Sequence, residues 1–182
     1  FSEAENIIKK ALQIHILDYD KNFLTIASDY EILSVLYRKL SDFKQAEESG
    51  KKSLNMMIGR FGEHHINCAS KYFTLGTLYA DLARYKKSIG FLKKAHNIWI
   101  SIYGEKNSLV VQSYGNLAEV FRKVGDYEKA KEYHKKSLNL SVELWKYNSS
   151  HTAQAYNNLS CLYSELQKYG VAEKKKKKAI DI

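Results

Sequence analysis

Large apolar side chains recur along this chain with a period of 42 residues. Leucine stands at the same place in four periods, with an aromatic residue three positions before it and another four positions after it, as in Tyr72, Leu75 and Tyr79. Spacings of three and four place side chains on one face of an α-helix. The pattern therefore predicts one helix per period with a buried face of aromatic residues and leucine.

A second apolar pattern follows each of these predicted helices. It consists of an aromatic residue with Ala or Ser three positions later, and the aromatic residues are Phe1, Phe43, Tyr85, Tyr127 and Tyr169. This spacing is again helical, and the small residue allows two helices to approach closely. Each period therefore predicts two helices that pack against each other.

Together the two patterns predict an all-α chain of about nine helices. We predict first helices near residues 25–40, 67–82, 109–124 and 151–166. We predict second helices near residues 1–18, 43–60, 85–103, 127–146 and 169–182. The turns support these bounds, because Gly125 can end a helix in the left-handed conformation, while Asp42 and Asp126 can cap the helices that follow.

The same period defines the predicted domain organisation, which is a single array over residues 1–182. Within it we predict full repeats at 25–66, 67–108 and 109–150. Residues 1–24 then hold the second helix of an incomplete repeat, and residues 151–182 form a truncated final repeat. Because the first predicted helix has no first helix to pair with, we expect the chain to be a fragment.

The segment YFTLGTLY at 72–79 has the spacing aromatic-x2-Leu-Gly-x2-Tyr, which matches the first helix of a tetratricopeptide repeat (TPR). With YGNLAEVF at 114–121 and YNNLSCLY at 156–163, the chain resembles the 42-residue TPR repeats of kinesin light chain. The resemblance implies a right-handed TPR solenoid of antiparallel helix pairs. It also implies a groove that receives short cargo peptides, with Asn116 and Asn158 at the family's asparagine positions.

The face of the first helices opposite the aromatic and leucine columns is mostly polar. Such a face suits an extended peptide, because a peptide backbone needs hydrogen bonds whatever its sequence. The predicted peptide-binding residues are Arg38, Lys39, Ser70, Phe73, Thr74, Thr77, Gln112, Asn116, Glu119, Arg122, Lys123, Gln154, Asn157 and Asn158. The four basic residues among them would favour an acidic segment. The predicted function is an adaptor or scaffold that binds proteins, and the alternative is that these residues are only solvated helix surface.

Lysine pairs recur with the same period, at 9–10, 51–52, 93–94, 135–136 and 177–178. Helical spacing places them on the outer face, where solvation alone can explain them. The net charge is nevertheless +9, and residues 67–182 carry twenty basic against ten acidic residues. This excess keeps open the electrostatic binding of nucleic acid or another polyanion. A third possibility is a structural arm that oligomerises through its exposed end helices.

The sequence contains no motif that indicates catalysis or a bound metal. It has no phosphate-binding glycine-rich loop and no HExxH motif, and its two cysteines, Cys68 and Cys161, stand far apart. We therefore predict a protein that is not an enzyme and that needs no cofactor or metal. Because no apolar run is long enough to span a membrane and no signal-peptide pattern is present, we expect a soluble, cytoplasmic protein.

Overall fold

A computed structural model describes residues 2–147 and 149–182, so Phe1 of the second apolar pattern lies outside the described residues. The helices are α1 (Ser2–Ile16), α2 (Tyr19–Lys39), α3 (Phe43–Phe61), α4 (Ile66–Asp81), α5 (Tyr85–Tyr103), α6 (Ser108–Val124), α7 (Tyr127–Trp145), α8 (Ser150–Glu165) and α9 (Tyr169–Ile180). The described residues form these nine helices and no strand. The predicted all-α class and helix number are confirmed.

Helix α2 begins at Tyr19, whereas the sequence predicts a start near residue 25. The connection from α1 consists only of Leu17 and Asp18. The Asn22 side chain closes this turn, because its Nδ2 donates to the carbonyl oxygen of His15 at 3.2 Å. The predicted start was wrong because it assumed a polar connector of the length found between the later repeats.

The caps predicted at the turns after α2 and α6 are present. The carboxylates of Asp42 and Asp126 accept hydrogen bonds from the backbone N–H groups of Gln45 at 3.1 Å and Lys129 at 3.2 Å. Gly125 has a φ of 84° and ends α6 in the left-handed conformation. These local predictions are confirmed.

Three other turns join a first helix to its second helix, and in each of them the residue equivalent to Gly125 is also left-handed. Ser41, Ala83 and Gln167 have φ values of 61°, 54° and 58°, and each is a whole number of 42-residue periods from Gly125. A left-handed conformation costs a residue other than glycine about 1–2 kcal/mol. Helix packing therefore imposes the shape of this turn even where the local sequence does not favour it.

The core consists of the aromatic and leucine columns that the sequence pattern predicts. Leu33, Leu75, Leu117 and Leu159 are at most 3% exposed. Most of the flanking aromatic residues are buried as well, and Tyr30 is half-buried. The predicted direction of these faces is confirmed.

The chain packs as two compact units, Phe1–Ile98 (unit 1) and Trp99–Ile182 (unit 2). In unit 1, Ile26, Met57 and Tyr72 are among the largest fully buried side chains. In unit 2, a core cluster forms around Tyr156 and Leu159 where α7, α8 and α9 meet. The prediction that both units belong to one continuous array stays a prediction.

Candidate functional site

Unit 2 contains a pocket of about 510 Å³ between α6, α7 and α8. Five of the residues predicted to bind peptide line it, and these are Gln112, Asn116, Glu119, Gln154 and Asn158. They come from α6 and α8, the two first helices that lie on either side of α7. The helical spacing of these residues therefore brings them to one surface.

Hydrogen bonds within each helix orient the amide side chains of the pocket. The Asn116 Nδ2 donates to the carbonyl oxygen of Gln112 at 3.0 Å. The Gln154 Nε2 donates to the Asn158 Oδ1 at 2.8 Å. Within the part of the chain that the structure describes, the Asn116 Oδ1 and the Asn158 Nδ2 have no further partner. The pocket thus presents an oriented acceptor on α6 and an oriented donor on α8.

Small residues of α7 form the floor of the pocket. Ser137 and Ser141 are buried, and their hydroxyls donate to the carbonyl oxygens of Val111 at 3.2 Å and of Ser137 at 2.8 Å. These hydroxyl hydrogens are therefore already bonded to backbone. The serines leave room above the floor without presenting further donors to a ligand.

Two aromatic rings close one end of the pocket. Trp145 and His151 stack with ring centres 4.2 Å apart and an interplanar angle of 19°, and Leu109 adds apolar surface nearby. Neither ring was among the predicted site residues, because Trp145 lies on a second helix and His151 lies at the start of α8, three positions before Gln154. A usable signal exists, since Ser137, Ser141 and Trp145 are spaced by four and so share one face of α7.

An ion cluster lies at the other end of the pocket. The Nε and Nη2 atoms of Arg122 donate to the two carboxylate oxygens of Glu119 at 2.9 and 2.5 Å, and Arg122 also pairs with Glu165. These hydrogen bonds lower the pKa of Glu119 and raise the pKa of Arg122. Both groups are therefore charged at neutral pH. Because Arg122 already contacts two carboxylates, little of its charge remains for an acidic peptide.

His134 of α7 lies near this ion cluster and is 2% exposed. Burial lowers the pKa of its imidazole from 6.5 to about 4, and its Nε2 has no hydrogen-bond partner in the described part of the chain. The ring is therefore neutral at pH 7. His134 thus lies on the inward side of α7.

Three basic residues predicted to attract acidic peptides lie outside the pocket. Arg38 pairs with Asp81, with 2.7 Å between Nη1 and Oδ2. Lys39 and Lys123 are exposed at the ends of their helices. The Arg38 pair in unit 1 and the Arg122 pair in unit 2 each join an arginine to an acid 43 positions later. Both arginines thus stabilise contacts between successive first helices.

Three other predicted residues are also separate from the pocket. Asn157 lies on a different face of α8, where its Oδ1 accepts a hydrogen bond from the Lys176 Nζ at 2.8 Å. The Thr77 hydroxyl donates to the carbonyl oxygen of Thr74 at 2.9 Å, and Phe73 is half-buried. The structure therefore does not bring these side chains to the amide-lined surface.

Ser70 and Thr74 of unit 1 surround an internal ion pair. The Lys71 Nζ lies 2.7 Å from the Glu31 Oε2, and the two side chains are only 10% and 19% exposed. The hydroxyls of Ser70 and Thr74 donate to the same carboxylate at 3.4 and 3.0 Å. These two predicted binding residues therefore already have partners within the chain.

The paired helices and the 42-residue period have a counterpart in known protein families. Models of the tetratricopeptide repeat match residues 67–141 and 153–182, which together exceed half of the chain. This chain belongs to the tetratricopeptide-repeat family. No curated protein sequence matches it. The predicted TPR fold is confirmed, and as a TPR array the chain is a protein–protein interaction module.

Several solved structures are similar to this chain over nearly its whole length. BtubC (BKLC) from P. vanneervenii has a TM-score of 0.82 and 23% identity, over 100% of this chain and 71% of that chain. A P. anserina protein, described as a kinesin light chain with nearly identical TPR-like repeats, has a TM-score of 0.74 and 11% identity, over 98% and 88%. A Rap protein complexed with Competence and Sporulation Factor has a TM-score of 0.75 and 16% identity, over 98% and 49%. At these identities the likeness establishes the fold alone.

In TPR terms, the first helices α6 and α8 of two successive repeats form the pocket walls, and the second helix α7 forms its floor. Within the described ranges 2–147 and 149–182, no group of three His, Cys, Asp or Glu residues is placed to hold a metal ion. Over the same residues, no helix combines the length and the apolar character needed to cross a membrane. The candidate functional surface of this TPR module is a polar pocket with one apolar end.

Proposed function

We propose that this TPR module is an adaptor that binds an extended peptide segment in the pocket of unit 2. The observation that carries the proposal is the set of four amide side chains, Gln112, Asn116, Gln154 and Asn158, above a floor of small residues. Amide groups both donate and accept hydrogen bonds, as a peptide backbone does. A volume of about 510 Å³ also lies within the usual range of ligand pockets.

The two parts of the pocket suit different parts of a peptide. The stacked rings of Trp145 and His151, together with Leu109, offer an apolar surface to one hydrophobic or aromatic side chain. The amides of Asn116 and Asn158 bind the adjoining backbone, which imposes no particular side chain there. The ligand is thus an extended segment with one apolar anchor.

The charge preference of the peptide follows from residues outside the pocket. Within the lining, Glu119 is a carboxylate and there is no lysine or arginine. Lys123 is exposed close to Glu119, and the whole chain carries a net charge of +9. These charges favour acidic residues that flank the bound segment, while the bound core itself is uncharged. Binding should therefore weaken moderately as salt concentration rises.

The alternative functions have less support than peptide binding. Lys51, Lys94 and Lys136 of the repeated pairs each contact a glutamate, so part of the cationic stripe that would bind a polyanion is neutralised. A kinesin-light-chain-like role in cargo binding agrees with the peptide proposal and rests on the sequence resemblance. Oligomerisation through the end helices, a cytoplasmic location and the absence of catalysis also stay predictions from the sequence.

Selection of binders from a random peptide library on the immobilised chain tests the proposal. Calorimetry with the selected peptides should show that Asn116→Ala combined with Asn158→Ala weakens binding by about tenfold or more, since two hydrogen bonds are worth roughly 1 kcal/mol each. Asn139→Ala, which changes an exposed asparagine of α7, is the matched control and should bind like the parent chain. A library without binders, or binders indifferent to the double substitution, would refute the proposal.

A further inference from the structure

The pocket of unit 2 and the ion pair of unit 1 occupy the same positions of the repeat. The corresponding residues lie 84 positions apart, and they are Glu31 and Gly115, Ser70 and Gln154, Lys71 and Ala155, and Thr74 and Asn158. In both units these residues belong to two successive first helices, α2 and α4 or α6 and α8. The two places can therefore be compared side chain by side chain.

In unit 1, two long charged side chains fill this place. The Lys71 ammonium lies 2.7 Å from the Glu31 carboxylate and 3.2 Å from the Ser70 hydroxyl. Thr74 donates to the other carboxylate oxygen at 3.0 Å. Because both charges are largely removed from water and are hydrogen-bonded to each other, separating them would be costly. The space between α2 and α4 is thus occupied by the chain itself.

In unit 2, the residues at the two charged positions have almost no side chain. Gly115 and Ala155 both line the pocket, and the space that the ion pair takes up in unit 1 lies open. A Cβ added to Gly115 would meet only the Ser137 hydroxyl, at an ordinary contact distance of 3.7 Å. Packing therefore does not require glycine at this position, and its absent side chain leaves volume for a ligand.

We propose that Gly115 and Ala155 determine where this chain accepts a ligand, and that the Glu31–Lys71 ion pair keeps the equivalent place of unit 1 closed. The identity of the ligand as a peptide rests on the proposed function above. Whether each of the two places is open or filled depends only on the side chains at these four positions. Of these two places, only the one in unit 2 is therefore open to a ligand.

The exchange of hydroxyls for amides indicates which chemical group enters the open place. In unit 1, the hydroxyls of Ser70 and Thr74 both donate to a carboxylate. In unit 2, Gln154 and Asn158 stand at those positions, and an amide can donate and accept at once. A peptide group of the ligand, with one N–H and one C=O, meets this requirement over Gly115 and Ala155. A carboxylate would find no cation in the pocket lining.

Thiol reactivity tests the opening and closing without any ligand. Asn158→Cys in a Cys161→Ser background should react with iodoacetamide, and adding Gly115→Glu with Ala155→Lys should slow the reaction by about tenfold by rebuilding the ion pair. Peptide mapping by mass spectrometry reports the rate at residue 158 alone. Circular dichroism confirms that each variant is folded, as expected because Lys71 occupies the position of Ala155 in unit 1.

The reverse change in unit 1 is an independent arm of the experiment. Thr74→Cys should react slowly in the parent chain and about tenfold faster after Glu31→Ala with Lys71→Ala, which removes both charges together. This arm decides the inference if the ion-pair variant of unit 2 fails to fold. Equal reactivity of the thiol at residue 74 before and after the change would overturn the inference.

Binding measurements link the inference to the proposed function. Peptides selected on the parent chain should lose about tenfold or more in affinity with Gly115→Glu and Ala155→Lys. The matched control is Gly90→Glu, which adds the same side chain to an exposed helix position with open space around its Cβ, and it should leave affinity unchanged. If no peptide binds the parent chain, the proposed function is wrong while the thiol rates still decide the inference. If peptides bind the ion-pair variant as tightly as the parent chain, the inference is wrong and peptide binding stands.

Discussion

The ammonium nitrogen of Lys94 lies 5.1 Å from the centre of the Tyr72 ring. The same contact recurs 22 positions apart in the other repeats, between Lys52 and Tyr30 at 5.5 Å, Lys136 and Tyr114 at 5.8 Å, and Lys178 and Tyr156 at 5.8 Å. The second lysine of these pairs therefore lies over the ring of a core tyrosine of its own repeat. The lysine period thus has a structural cause that needs no polyanionic partner.

Replacing Lys94 by Met should destabilise the protein by about 0.5–1 kcal/mol, because the methylene chain is kept while the cation–π contact is lost. The ion pair between the Lys94 Nζ and the Glu63 Oε2, which lie 3.0 Å apart, contributes little to stability because both side chains are about half exposed. Urea unfolding followed by circular dichroism measures the change. Lys93→Met, at the exposed first lysine of the same pair, is the control and should change stability by less than about 0.5 kcal/mol. Equal effects at both positions would contradict the structural role.

The sequence predicts the helix pairs and the buried columns well because both depend on spacing within one helix. Leu75 and Tyr79 share a face wherever α4 packs, so their burial follows from the helical period alone. Asp42 likewise caps α3 through a hydrogen bond to Gln45, which is only three positions away in the sequence. Features of this kind need no knowledge of which helices become neighbours.

The position of the pocket could not be predicted in the same way, because it depends on pairs of residues about 40 positions apart. Thr74 and Asn158 occupy the same polar position of the repeat. Thr74 nevertheless contacts Glu31, whereas Asn158 lines an open pocket. The deciding residues, Gly115 and Ala155, carry no chemistry that marks them as candidates. Only the approach of α6 and α8 shows that their small size creates space.

Gly76→Ala should destabilise the protein although alanine favours helices more than glycine does. A Cβ at residue 76 would lie 2.8 Å from Cγ and Cδ2 of Leu92 and 3.1 Å from its backbone nitrogen, so α4 and α5 would have to separate. Overpacking of this kind costs about 1–3 kcal/mol. Gly90→Ala, at a helix position with open space around the new Cβ, should instead stabilise by about 0.5–1 kcal/mol. Thermal or urea unfolding should give changes of opposite sign, and two changes of the same sign would count against the close contact.

A buried tyrosine hydroxyl joins successive repeats of unit 1. The Tyr79 hydroxyl donates to the Glu47 Oε1 at 2.9 Å, and Tyr37 makes the same bond to Glu5 at 2.8 Å. Tyr79→Phe should cost about 1–2 kcal/mol at neutral pH, because a hydrogen bond to a charged acceptor is lost. Urea unfolding checks this value. Tyr85→Phe, which changes a tyrosine outside this contact, is the comparison and should have a smaller effect.

The acid dependence of stability provides a second measurement on the same contact. The hydrogen bond from Lys51, followed by that from Tyr79, lowers the pKa of Glu47 below its ordinary value of 4.5. Because the pKa is lower in the folded state, Glu47 stabilises the fold above about pH 4.5, and this contribution is lost as the pH falls through the lowered value. Glu47→Gln should therefore reduce the loss of stability between neutral pH and about pH 3.5. An unchanged acid dependence would exclude this contribution.

His134 should make the protein less stable as the pH falls from 6.5 towards 4. Its pKa is lowered from 6.5 to about 4 by burial, so between these values the unfolded chain binds a proton that the folded chain does not. Linkage then gives a loss of about 2 kcal/mol at pH 5 relative to neutral pH. His134→Gln removes the titrating group, and urea unfolding at pH 7 and at about pH 5 should show a smaller difference for this variant. His151→Gln, which changes the exposed imidazole beside Trp145, should keep the full difference. If His134→Gln loses as much stability on acidification as the parent chain does, His134 must take up its proton in the folded state, and the neutral buried imidazole beside the Glu119–Arg122 pair would be ruled out.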